Sequence, residues 1–169
     1  LAGKFNVTGR DIFIATVPPY HIYGFLFSVV IPFISRATVL PDVYVFPREI
    51  ISAAEKNSAS ILVSVPVHYR VLKTDDLAGN KLRLAFSSAG MLAEEDARYF
   101  SGKTGVGIHE IYGSTETGGI ATRCRAAGEK SWTPFDNAAW KIVNERLHVK
   151  SDFISPDLPV DEKGFFQTG

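Results

Sequence analysis

The strongest constraint on this chain is an alternation. Short, nearly unbroken apolar runs recur at residues 11–17, 37–40, 60–65, 82–86 and 107–112, with segments of helical character between them. The run at 60–65, Ser-Ile-Leu-Val-Ser-Val, is apolar at both odd and even positions. A strand with one wet face alternates apolar and polar residues, whereas a strand covered on both faces does not. The pattern therefore predicts an α/β fold with a mostly parallel sheet flanked by helices.

The helices carry their own signals. Pro47 and Pro66 suit the first position of a helix. Ile50, Ile51 and Ala54 give the first of these an apolar face, and Val67, Val71 and Leu72 give one to the second. Glu94, Glu95 and Asp96 cluster where a third helix begins, and the helix dipole favours acids there. Residues 22–34 predict a buried helix that Pro32 ends or kinks. This segment is shorter than the ~20 residues a membrane span needs.

From Gly118 onward the pattern changes. Short strands at 120–124, 139–143 and 147–150 are separated by turns, with no clear helix. This predicts a small antiparallel β piece, part of a barrel. The expected organisation is a partial α/β nucleotide- and acyl-binding subdomain at 1–118 and a partial β-rich subdomain at 119–169. The chain starts at Leu1 and stops inside an apparent strand and turn at 165–169, so it is expected to be a piece of a longer protein.

Charge excludes some functions. The 169 residues hold 18 Lys and Arg against 18 Asp and Glu, so there is no positive excess to coat nucleic acid or an anionic membrane. At 46% hydrophobic and 21% charged residues, the chain is too apolar for disorder. Its one cysteine, Cys124, excludes an internal disulfide framework and points to a reduced compartment such as the cytoplasm.

Chemistry concentrates at Ile111-Tyr112-Gly113-Ser114-Thr115-Glu116-Thr117-Gly118-Gly119, where a predicted strand ends. In open α/β sheets, ligands gather outside the carboxyl ends of strands. Small residues let backbone N–H groups approach a phosphate, and hydroxyls add neutral hydrogen-bond groups. Glu116 offers one hard oxygen ligand of the kind Mg²⁺ takes. Tyr112 offers a flat face for a base. By residue type alone, an ordinary Gly/Ser/Thr turn explains the segment more economically.

Tyr112-Gly113-Ser114-Thr115-Glu116 resembles the Tyr-Gly-x-Thr-Glu core of the adenylate-forming (AMP-binding) superfamily, which includes acyl-CoA synthetases, aryl-CoA ligases, nonribosomal peptide adenylation domains and luciferases. Other segments follow in that family's order. Pro18-Pro19-Tyr20-His21-Ile22-Tyr23-Gly24 is similar to its Pro-x-x-His-x-x-Gly segment. Arg83 to Leu92 is similar to the strand and turn that lie against adenine, with Ser88 and Ala89 in place of glycines and Met91 in place of proline. Glu145-Arg146-Leu147-His148-Val149-Lys150 is similar to its Gly-Glu-Leu-x-Val-x-Gly strand, and Phe166-Gln167-Thr168-Gly169 to the start of its Tyr-x-Thr-Gly-Asp motif.

The resemblance implies a fragment of an AMP-forming ligase of the acyl-CoA synthetase kind. Such an enzyme activates a small carboxylic acid with ATP and passes the acyl group to CoA or to carrier-protein phosphopantetheine. It implies that Tyr112 packs against adenine, that Ala89 and Gly90 line the base, and that Ser114 and Thr115 bind phosphate. Gly113 would let the acyl group pass close to the backbone, Glu116 would hold Mg²⁺, and His21 would stand at the acyl-binding mouth. Thr115, Glu116 and His21 are thus the expected catalytic set.

The apolar character of residues 20–27 favours a fatty or aromatic acid. Two alternatives remain open: an amino-acid-activating adenylation domain, and a catalytically dead nucleotide-binding or interaction module of the same fold. Residues 1–17 do not resemble the family's phosphate loop. The ribose-binding aspartate and the C-terminal domain would follow Gly169. The chain alone is therefore expected to be inactive.

The remaining candidates read as structural. His68, His109 and His148 show no metal-ligand spacing and are expected at packing, strand-end or surface positions, as is Glu110. Phe25 and Phe27 are expected in the core. Cys124 reads as a small buried hydrophobe. Asp75 and Asp76 read as a solvated loop, and Asp152, Asp157, Asp161 and Glu162 as a surface connection.

Overall fold

Strands β1 (Ile12–Ala15), β2 (Thr38–Val43), β3 (Ile61–Ser64), β4 (Leu84–Ser87) and β5 (Ile108–Ser114) pair in the order β2-β1-β3-β4-β5, every pairing parallel. The computed structural model describes residues 1–74 and 79–168. The loop expected at Asp75 and Asp76, and Gly169 of the closing motif, lie outside the described residues. β3 and β4 are buried at every residue, which is why their sequences do not alternate.

Successive residues of these strands feed two different faces. Ile14, Leu62, Ala85 and Ile108 stand in register and join one core with Ile50 and Ala54 of α3 (Pro47–Lys56), Tyr69 of α4 (Pro66–Val71) and Phe100 of α5 (Glu94–Thr104). On β4, the next residue, Phe86, meets Phe5 and Phe27 instead, at ring-centroid distances of 4.8 and 4.7 Å. The sheet is therefore covered on both sides, as its apolar pattern predicts.

The segment predicted as a buried helix is one-sided. It consists of α1 (Ile22–Phe25), a π-helical stretch (Leu26–Val30) and α2 (Ile31–Ser35). Tyr23, Gly24, Phe27, Ile31 and Pro32 face inward, while Ile22, Phe25, Val29, Phe33 and Ile34 are exposed. Phe27 is core as expected, and Phe25 is not. Pro32 does not end the helix, which runs on to Ser35 and stops at Arg36 with φ 57°. A proline ring crowds the carbonyl four residues earlier, and the wider π turn lies immediately before it.

A second correction concerns α4. Val67 and Val71 point outward, and Tyr69 and Leu72, three residues apart, form the buried face. The Tyr69 hydroxyl donates to the Phe86 carbonyl at 2.8 Å, which fixes the register of that face. Asp96, in the first turn of α5, is fully buried and ion-paired with Lys73 and, at 3.5 Å, with Arg70.

The chain forms two compact units, Leu1–Glu110 with Cys124–Gly128, and Ile111–Arg123 with Glu129–Gly169. In the second unit, the end of β5, then β6 (Gly118–Cys124) and β7 (Thr133–Pro134) are neighbours in that order, and β6 and β7 run antiparallel. A separate antiparallel sheet has the order β10-β9-β8, from β8 (Ala138–Val143), β9 (Arg146–Ser151) and β10 (Phe166–Gln167). β8 and β9 join through Asn144 and Glu145, both at positive φ, as a two-residue hairpin turn requires. Asp161 organises the return to β10. Its carboxylate accepts the N–H groups of Lys163 and Phe165, each at 2.9 Å, and the Lys141 ammonium at 2.6 Å.

Candidate functional site

The Tyr112–Glu116 segment forms the end of β5 and the loop that turns it into β6. Only Thr115, Glu116 and Thr117 separate the two strands. So short a loop needs a residue with positive φ, and Gly118 supplies it at φ 65°. Gly113 is required as well, because a Cβ there would lie 2.2 Å from the Gly118 carbonyl oxygen. The resemblance assigns Gly113 to the passage of an acyl group, but the hairpin's own backbone already excludes a side chain.

The loop is braced from within. Thr117 is fully buried, and its Oγ1 accepts the Ser114 N–H at 3.3 Å and lies 3.0 Å from the Ser114 hydroxyl. The Thr117 hydroxyl also donates to the Gly118 carbonyl at 3.2 Å. Ser114 therefore acts as scaffolding for the loop. Thr117 is a bracing residue that the motif did not single out; its signal is a hydroxyl three residues after another one across a tight turn. Thr115 and Glu116 remain exposed at the tip.

A hydrogen bond from the Ser114 hydroxyl, then one from the backbone N–H of Glu116, hold the Glu116 carboxyl below the usual glutamate range. It is thus a charged oxygen donor at neutral pH. Among the described residues, no group of three or more His, Cys, Asp or Glu side chains could hold a metal. A lone carboxylate suits Mg²⁺, which commonly takes one or two protein carboxylates and completes its shell with phosphate and water.

Tyr112 stands on the exposed side of β5, with its ring centroid 5.5 Å from that of Trp132. The hairpin thus brings together Tyr112, Gly113, Ser114, Thr115 and Glu116 within the second unit.

Ala89, Gly90 and His21 belong to the first unit. Ala89 and Gly90 follow β4 and line an open cleft of ≈ 390 Å³ with Val65, Pro66, Val67, Arg70 and Met91. Ala89 holds φ 63°, a conformation that suits the glycine it replaces in the resemblance. His21 is not among the residues lining that cleft. It is exposed, in the position just before α1, with its ring 4.8 Å from Tyr20. The glycine closing its motif has a steric reason: a Cβ on Gly24 would lie 2.1 Å from the Pro18 carbonyl oxygen.

A polar chain at the carboxyl edge of the sheet was not legible as a site. Thr16, just past β1, and Ser64, the last residue of β3, have hydroxyls 2.8 Å apart. His68 Nδ1 lies 2.6 Å from the Thr16 hydroxyl, and the Tyr23 hydroxyl donates to the Ser64 carbonyl at 3.0 Å. Burial pushes the His68 imidazole below its ordinary value, so it is neutral at pH 7. His109 packs on Phe5 and Phe86, Glu110 pairs with Arg125 at 2.8 Å, and Cys124 is buried, so these three are structural.

Comparison with known proteins bears on this site. The sequence profile of a family described as AMP-binding enzyme matches residues 1–164. The mitochondrial acyl-coenzyme A synthetase ACSM2 of Rattus norvegicus is 35% identical over 75 residues, which are 43% of this chain and 13% of that protein. The apo structure of MatB from Rhodopseudomonas palustris superposes with a TM-score of 0.87 at 20% identity, over 99% of this chain and 38% of MatB. The O-succinylbenzoate coenzyme A synthetase MenE of Bacillus subtilis, solved with ATP and a magnesium ion, gives a TM-score of 0.85 at 16% identity, over 99% of this chain and 40% of that one. The chain spans less than half the length of each of these proteins, and at such identities the two structures speak to the fold alone.

Proposed function

Since this chain belongs to the AMP-binding enzyme family, we propose that the intact protein joins a carboxylic acid to ATP as an acyl-adenylate and passes the acyl group to a thiol of CoA or of carrier-protein phosphopantetheine. The observation that carries this reading is the braced hairpin, which leaves Thr115 and an ionised Glu116 exposed at its tip.

The reaction brings two anions together. A substrate carboxylate oxygen attacks the α-phosphorus, the bond from that phosphorus to the bridging oxygen breaks, and pyrophosphate leaves. Hydrogen-bond donors aimed at the developing charge lower the barrier. In this reading the Thr115 hydroxyl donates to the α-phosphate and Tyr112 faces the adenine. Glu116 would hold Mg²⁺, which when bound offsets phosphate charge.

His21 stands at the mouth for the acid. The exposed rings of Tyr20, beside His21, and of Phe25 in α1 favour a fatty or aryl acid. Among the described residues, no helix is long and apolar enough to cross a membrane. A lone buried Cys124 fits a reduced compartment such as the cytoplasm.

The test is carboxylate-dependent ATP–pyrophosphate exchange by the intact protein with fatty, aryl and amino acids, and with Glu116→Ala as control. Exchange with a fatty or aryl acid, lost in the variant, supports the proposal. Exchange with amino acids alone would make it an amino-acid-activating domain. A folded protein with no exchange at all would make it a binding module.

A further inference from the structure

The geometry points to Trp132 as a positioning residue that holds the Tyr112 ring ready for adenine, an inference that rests on the nucleotide reading above. The two rings meet with centroids 5.5 Å apart and planes inclined at 44°. The Arg123 guanidinium sits 4.3 Å from the centroid of the Trp132 ring. Trp132 also packs against the small core of Ile120, Ala121 and Val149. The indole is thus anchored by the core and by a cation on its ring, and Tyr112 leans on it.

A tyrosine 41% exposed on a strand would otherwise share its time among staggered rotamers. Aromatic contact is strong enough to favour one of them, and a cation over the indole holds the supporting ring in place. A base landing on Tyr112 then loses less conformational freedom than it would on a free ring. All three residues belong to the second unit, from β5, β6 and the approach to β7. Trp132 lies outside every motif quoted above.

The experiment measures calorimetric dissociation constants of the intact protein for AMP and for tripolyphosphate, which lacks a base, in the parent and in Trp132→Ala, Trp132→Leu and Trp132→Phe. The alanine variant should bind AMP ~10-fold more weakly, and phenylalanine should restore affinity to within ~2-fold. Tripolyphosphate binding should be unchanged throughout. Leucine keeps the core filled without an aromatic ring, so it replaces alanine if that variant does not fold, with the same loss expected.

Unchanged AMP binding without the ring would overturn the positioning role. So would parallel losses for both ligands, which would mark general damage, or failure of phenylalanine to rescue. If the parent protein binds tripolyphosphate but not AMP, or neither ligand, the nucleotide reading itself fails and this inference goes with it.

Discussion

The Cβ that Gly113 lacks would lie 2.2 Å from the carbonyl oxygen of Gly118 and 3.0 Å from the Cα of Gly119. This approach of two backbones is what lets β5 reverse into β6 over three residues. Gly113→Ala should force the strands apart and destabilise the protein by about 1–3 kcal/mol, the usual range for overpacking. It should also displace Thr115 and Glu116, lowering pyrophosphate exchange. A thermal midpoint and exchange rate equal to those of the parent would show that the hairpin accommodates the methyl group.

Asp11 provides a pH-dependent term. Burial pushes its carboxyl up, but the Arg83 guanidinium, the Thr8 N–H and the Ser60 hydroxyl together outweigh burial and hold it at about 2. The two Arg83 contacts are 2.7 and 2.6 Å. Because the folded value is depressed, the stabilisation is complete above the unfolded value near 4 and is lost as pH falls toward 2. The shift corresponds to about 2 kcal/mol. Urea midpoints measured from pH 6 down to 2 should fall for the parent, and less steeply for Asp11→Asn. Equal slopes would remove Asp11 from the acid response.

Ala89 sits at φ 63°, where a Cβ is unfavourable. Ala89→Gly should therefore stabilise the protein by about 1 kcal/mol, the reverse of the usual effect of glycine. Gly90 is different: a Cβ there would make only ordinary contact with the Pro66 ring at 3.6 Å, so Gly90→Ala should be nearly neutral. Chemical denaturation of both variants checks the pair. Destabilisation by Ala89→Gly would contradict the backbone conformation described here.

Glu110 is buried and paired with Arg125, whose Nε lies 2.8 Å from its Oε1. Replacing one partner of a buried pair strands the other charge, so Arg125→Met should destabilise the protein by about 3 kcal/mol. Adding Glu110→Leu should recover much of that loss, because two apolar residues need no compensating charge. A double variant no more stable than Arg125→Met would show that Glu110 has a structural role beyond this pair.

Some elements were legible because their causes are local. The continuous apolar runs at β3 and β4, the prolines opening α3 and α4, and the acids opening α5 reflect strand covering, a missing N–H and a helix dipole, all encoded within a few residues. The Tyr112–Glu116 segment stood out for the same reason. Side-chain direction was less legible. Residues 22–34 are apolar nearly all round, yet only Tyr23, Gly24, Phe27, Ile31 and Pro32 of the helical segment are buried. Val67, Val71 and Leu72 looked like the inner face of the α4 segment, but only Leu72 is buried there, together with Tyr69.

By itself, then, the sequence determined the α/β class, the element order, the antiparallel change after Gly118 and the Thr-Glu pair of the motif, because period and turn chemistry act over short distances. Tertiary structure alone decided that His68 reaches Thr16 and that Trp132 meets Tyr112. Each of those contacts depends on how distant or folded-back segments pack together, and close packing selects partners by shape, which no local pattern of residue types records.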